Sequence, residues 1–172
     1  VVGLGNSPIR MEMAYQMGAQ AVFDSSDPHL QEQLDSWSDG EGIDLVIQTA
    51  NPWPAYQTSV EVVRPGGRVA IVALPGRGEP PLEFNPLDMK WFYQKGISLI
   101  AVSGAAGDRF PDQTLRFTRH RECRFVLDLM AAGRLRPSQL ITHRLPYAAI
   151  AEAYQMAFQR EKRMQGVIFN WS

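Results

Sequence analysis

The sequence contains one cysteine, Cys123, in 172 residues, and a single thiol rules out an internal disulfide framework. Long apolar runs are missing as well: none approaches the roughly 18 residues that a membrane-spanning helix needs. A reducing, cytoplasmic location with no membrane partner is the expectation. Neither charge is in excess, with 17 Lys and Arg against 18 Asp and Glu, so the chain lacks the basic footprint of a nucleic-acid binder. Clustered metal ligands are also lacking, because His29, His120 and His143 lie far apart and no cysteine pair accompanies them. His120 and Cys123 share a helical face, but two ligands in a basic run read as an incidental pair. Finally, no basic segment, apolar core or small-residue cleavage site opens the chain at Val1, which is expected to begin in mid-fold.

What is present is a good core. Hydrophobic residues make up 45% of the chain, and a domain of this length buries roughly 70% of the surface its unfolded form exposes. VVGLG is a short apolar run, after which Ser7 and Pro8 supply an N-cap and a first-turn proline for a helix through IRMEMAYQM that stops at Gly18. AQAVF reads as a second strand, and Asp27-Pro28 opens a helix through HLQEQLDSW. IDLVIQTA is a nearly continuous apolar strand, the pattern of a strand covered on both faces. NPWPAYQTSVEVV has helical spacing, and RPGG breaks it before the strand RVAIVAL. A Pro/Gly loop, a short helical candidate at Leu87 to Gln94 and the strand ISLIAVSG follow. Five strands separated by helices or crossovers predict an α/β fold, a doubly wound parallel sheet that binds ligands beyond the carboxyl ends of its strands. The rest reads as one long helix over 112–133, the strand LITHRLPY, the helix AAIAEAYQMAFQREKR and the strand QGVIFNW.

Taken together, SPIRMEMAYQMGA, GIDLVIQTA, VRPGGRVAIVAL, and LITHRLPY followed by a helix and VIF resemble the medium-chain dehydrogenase/reductase family. The likeness runs over nearly the whole chain and is strongest to the zinc-dependent alcohol, polyol and threonine dehydrogenase branch. It implies that VVGLG is the second strand of a Rossmann-like sheet. The first strand, its G-x-G-x-x-G turn and the catalytic domain with its zinc would then lie outside this chain. Residues 1–139 would be an N-terminally incomplete dinucleotide-binding domain, and 140–172 a helix and strand returning to the catalytic domain. The implied activity is NAD(P)-dependent hydride transfer on a small alcohol, polyol or carbonyl substrate, with this chain alone inactive. The apolar edge strand Ile97 to Ser103 would, as in family members, pair across a homodimer or homotetramer axis.

Gly3-Leu4-Gly5 is only a lone G-x-G, because the third glycine of a dinucleotide fingerprint would fall on Pro8. Gly5 is therefore read as the strand tip. In NAD-dependent family members an Asp or Glu at this tip binds the ribose hydroxyls; this chain has Gly5-Asn6-Ser7. Asn6 and Ser7 could donate to a phosphate at the helix start and Arg10 could pair with it, so NADP is favoured and NAD is the alternative. The plain reading, in which Ser7 only caps the helix and Arg10 is a solvated surface residue, stays open. The family register also places Thr49 and Ala50, beside Gln48, on the adenine and ribose side of the cofactor cleft. Ala73-Leu74 and Val102-Ser103 would flank the nicotinamide ring. His143, in the ITHR phrase, reads as structural.

Three other readings remain at this point. A zinc-free quinone or enoyl reductase of the same family fits most of these phrases. VVRPGGRVAIV also looks like the strand entry of a class I methyltransferase, whose doubly wound sheet would share the fold. A non-catalytic module that binds a nucleotide or a partner's sheet edge is the third.

Overall fold

A computed structural model describes residues 1–81, 83–102, 118–159 and 161–171. The chain divides into two compact units, 1–103 and 104–172. In the first, β1 (Val2–Gly5) passes through Ser7 into α1 (Pro8–Gln16), with Pro8 in the first turn and Gly18 (φ +100) beyond its end. There follow β2 (Ala21–Asp24), α2 (Leu30–Trp37), β3 (Ile43–Gln48), α3 (Trp53–Val62), β4 (Val63–Ile71) and, after a turn of π-helix at Met89–Tyr93, β5 (Ser98–Ala101).

Every strand pairing in this unit is parallel. β1 pairs with β2, and β3, β4 and β5 form a second row, with no hydrogen-bonded ladder between β1 and β3. A doubly wound sheet has the order 3-2-1-4-5-6. Remove its first strand and it falls into these two pieces: β1 and β2 take the places of strands two and three, and β3 to β5 those of four to six. The pieces still share a core. Leu30, Leu34 and Val62 are buried against Val2 of β1, Phe23 of β2, and Ile43 and Val46 of β3. A neighbouring cluster of Val60, Val63, Val69 and Ile97 lies under α3 and gathers Ile71, Leu99 and Trp91. α1 covers the opposite face of β1 and β2: a Cβ added at Gly3 would touch Ala14 of α1 and Val22 of β2.

The structure departs from the sequence reading in four places. β3 was expected to be covered on both faces, yet within this unit's described residues only the face toward α2 and α3 is covered. Leu45 and Ile47 point the other way, and Ile47 is 62% exposed. In register it lies beside Ala70, which lies beside Ile100. An apolar row thus crosses three strands with no helix over it among this unit's described residues. The RPGG segment does not end the preceding element before the strand. β4 already begins at Val63 and runs through it, with an irregular register opposite Ile43 to Leu45 and Gly66 at φ +73. A Cβ at Gly67 would come within 2.9 Å of the Arg64 carbonyl, so the bulge requires glycine. The helical candidate at Leu87 to Gln94 is the short π-helical turn, capped by the Asp88 carboxylate, which accepts from Met89 N at 2.7 Å. α2 has His29 at its cap position, and Asp27 accepts from the His29 amide at 2.8 Å one turn earlier.

In the second unit, α4 (Arg119–Ala131) starts at Thr118, whose hydroxyl accepts from Arg121 N at 3.3 Å. Residues 112–117 of the expected longer helix lie outside the described residues. β6 (Ile141–Pro146) and β7 (Gly166–Asn170) pair in parallel, with α5 (Ile150–Phe158) as their crossover. Ala153 is buried, whereas Tyr154 and Phe158 on another side of α5 are exposed.

Candidate functional site

The sequence-predicted residues sit at or just past the carboxyl ends of strands, except Arg10, which lies in the first turn of α1, and Ser103, which lies outside the described residues. Gly5 ends β1 in parallel register with Asp24, which ends β2. Gly5 is not required by packing, since an added Cβ would meet only Met11 at 3.8 Å. Asn6 and Arg10 are exposed, and Arg10 has no ion pair among the described residues. Ser7 holds the N-cap position of α1 with extended backbone (φ −120, ψ 117), but its side chain makes no cap hydrogen bond. Its hydroxyl is instead buried, with the residue 7% exposed and Oγ without a partner. The capping reading of Ser7 therefore fails on the side chain and holds only for the backbone. A buried hydroxyl left unpaired costs about 1–3 kcal/mol, and it stands beside the first-turn amides of α1, which a helix leaves open.

Asp24 escaped the sequence reading. Its carboxylate accepts from Ser26 Oγ and from Ser26 N, the latter at 2.8 Å, and these bonds hold its pKa below the ordinary carboxylate value. An acidic residue closing the short strand AVFD was the available signal.

The second half of the site is built by the loops that leave β3 and β4. Gln48, the last residue of β3, is only 3% exposed; its Nε2 donates to Ala50 O and its Oε1 has no partner. The Gln48 carbonyl accepts from Val72 N at 2.9 Å and Ala73 N at 3.2 Å. Asn51 Oδ1 accepts from Leu74 N at 3.2 Å, and Asn51 O from Gly76 N at 2.6 Å. Further out, Trp53 N donates to Glu79 Oε2 and Trp53 Nε1 to Pro80 O, each at 2.9 Å. Gln48 and Asn51, which flank Thr49 and Ala50, are thereby hydrogen-bonded to Ala73 and Leu74. Val102, past the end of β5, joins this row through its amide, which donates to Ile71 O at 2.9 Å.

One feature of this unit lies apart from these loops. A cavity of about 470 Å³ opens between the start of α2, the end of α3 and Trp91, and none of the predicted residues lines it. Among the described residues no three His, Cys, Asp or Glu side chains stand close enough to hold a metal ion. The donor set of the described residues therefore does not fit a zinc site. His143 Nδ1 contacts Thr142 Oγ1 at 2.9 Å.

Comparison with known proteins agrees with this architecture. Sorbitol dehydrogenase of Bacillus subtilis (strain 168) is 31% identical over 105 residues, covering 55% of this chain and 30% of that protein. NADP-dependent isopropanol dehydrogenase of Thermoanaerobacter brockii is 26% identical over 147 residues, covering 83% of this chain and 37% of that protein. Among solved structures, zinc-dependent alcohol dehydrogenase 2 from Streptococcus pneumonia superposes with a TM-score of 0.76 at 18% identity, over 99% of this chain and 45% of that one. At that identity the likeness shows the shared fold. The chain spans less than half the length of each of these relatives. The family model described as zinc-binding dehydrogenase matches residues 1–119, well over half of the 172, and with it the methyltransferase reading falls away. On that match, and on a parallel sheet divided where a doubly wound fold would hold its first strand, the chain belongs to the zinc-binding dehydrogenase family.

Proposed function

We propose that this chain is the cofactor-holding part of an NADP-dependent oxidoreductase acting on a small alcohol, polyol or carbonyl compound. The observation that carries the cofactor choice is the buried, unpartnered Ser7 hydroxyl at the start of α1. With the open first-turn amides and the exposed Arg10, it offers donors and positive charge to a 2'-phosphate, and no carboxylate occupies the tip of β1. Bound there, the cofactor supplies hydride exchange at C4 of its nicotinamide ring. The loops carrying Thr49, Ala50, Ala73 and Leu74, together with Val102, bind and orient the rest of the dinucleotide through backbone groups on this reading. Residues 140–172 belong, on this reading, with a catalytic domain that holds any zinc and most of the substrate pocket. The whole enzyme works in the cytoplasm as a dimer or tetramer joined along β5.

One observation favours NAD instead. Asp24, beside Gly5 in register, is a carboxylate that could accept from ribose hydroxyls and would repel a 2'-phosphate. Titration of the full-length protein and its Arg10→Ala variant with NADPH and NADH separates the two. The NADP reading expects tighter NADPH binding that weakens about tenfold in the variant. A preference for NADH unaffected by Arg10→Ala contradicts it.

A further inference from the structure

Among the hydrogen bonds that tie the β3 and β4 loops, one is made by the side chain of an exposed residue, Asn51. Asn51 grips the β4 loop twice, through Oδ1, which accepts from Leu74 N at 3.2 Å, and through its own carbonyl, which accepts from Gly76 N at 2.6 Å. Behind it Gln48 fixes Ala50 from below, and ahead of it Trp53 anchors Glu79 and Pro80. The loop conformation leaves little slack, because Gly76 (φ +69) lies directly on the Trp53 indole. Of these ties, the Asn51 to Leu74 bond alone joins the two loops at the height of the strand tips through a side chain.

We infer that Asn51 is a positioning residue for the cofactor: it sets the spacing between Thr49-Ala50 on one loop and Ala73-Leu74 on the other. The inference rests on the proposal that these loops hold a nicotinamide dinucleotide. Two backbone segments that touch one ligand bind it well only if they are held at the right distance before it arrives. An exposed asparagine contributes little to the core, so its loss should be felt in binding and not in folding.

The test uses the full-length protein with Asn51→Ala and Asn51→Asp, reading NADPH and NADH affinity by fluorescence titration and amide exchange at Leu74. Asn51→Ala is expected to weaken the preferred cofactor about tenfold, to speed Leu74 exchange, and to leave the thermal unfolding midpoint unchanged. Asn51→Asp keeps the Oδ1 acceptor and is expected to preserve slow Leu74 exchange. If the wild type binds cofactor and Asn51→Ala binds it equally well, this inference is overturned and the cofactor reading stands. If Asn51→Asp loses Leu74 protection as fully as Asn51→Ala, the acceptor role is overturned. If the wild type binds neither nucleotide, the cofactor reading falls and this inference with it.

Discussion

Gly76 rests against the indole of Trp53 so closely that a Cβ at that position would fall 2.0 Å from the ring. Its φ of +69 adds a backbone conformation that other residues resist. Replacing it with alanine therefore cannot be absorbed by a small shift. Gly76→Ala should cost about 2–3 kcal/mol, seen in chemical denaturation, and Trp53→Ala in the same chain should recover part of that loss. Equal stability of Gly76→Ala and wild type would show that the indole does not occupy this place.

Ser7→Ala removes a hydroxyl that is buried and unpaired in the unliganded protein. Such a change is expected to leave stability without cofactor unaltered or raise it by up to about 1 kcal/mol, because the desolvation cost of the orphan disappears. Affinity for NADPH should fall at the same time. A drop in stability with affinity intact would mean that the hydroxyl is satisfied within the protein and plays no part in binding.

Gln48 presents the same logic on β3. Gln48→Met fills a similar volume without an acceptor, so it too should not destabilise the unliganded protein, as measured by its urea midpoint. The exposed Ala50 carbonyl, which loses its partner, can turn to water. A loss of several kcal/mol would place another donor on Gln48 Oε1.

The strand and helix order of the first unit was legible because period and punctuation agreed there. Pro8 at a helix start, Gly18 at its end and the apolar run of IDLVIQ each point to a single local structure, and Pro8 in place of a glycine marked VVGLG as a strand and not a phosphate turn. What escaped depends on contacts distant in sequence. The Asn51 to Leu74 bond spans 23 residues, and no pattern in a single sequence announces it. That the Ser7 hydroxyl is buried without a partner was hidden for a related reason, since a serine before a helix reads equally as a cap. β4 was cut short because RPGG signals a break, whereas here its glycines make a bulge and the ladder continues. The row at Ile47 and Ile100, exposed among the described residues, shows the limit of the strand reading itself. Apolar residues on both faces demand cover on both faces without saying which part of a protein provides it.

Asp27 gives a pH dependence with a definite sign. The His29 amide and then the Gln33 side chain donate to its carboxylate and lower its pKa from the ordinary 3.8. A group whose pKa is depressed on folding contributes stability that is complete above the unfolded value and is lost as pH falls through the folded one. Stability should therefore decline below about pH 4, and less steeply in Asp27→Asn, which keeps an acceptor but no titrating charge. Identical acid limbs in urea denaturation of the two proteins would remove Asp27 from this role.

The most direct measurement is the dissociation constant of the full-length protein for NADPH and for NADH, with Ser7→Ala alongside the wild type. Tighter binding of NADPH, weakened about tenfold by Ser7→Ala while NADH binding holds, is the expected result. Absence of binding by either nucleotide, or an NADH preference indifferent to Ser7, would contradict the proposal that the start of α1 selects a 2'-phosphate.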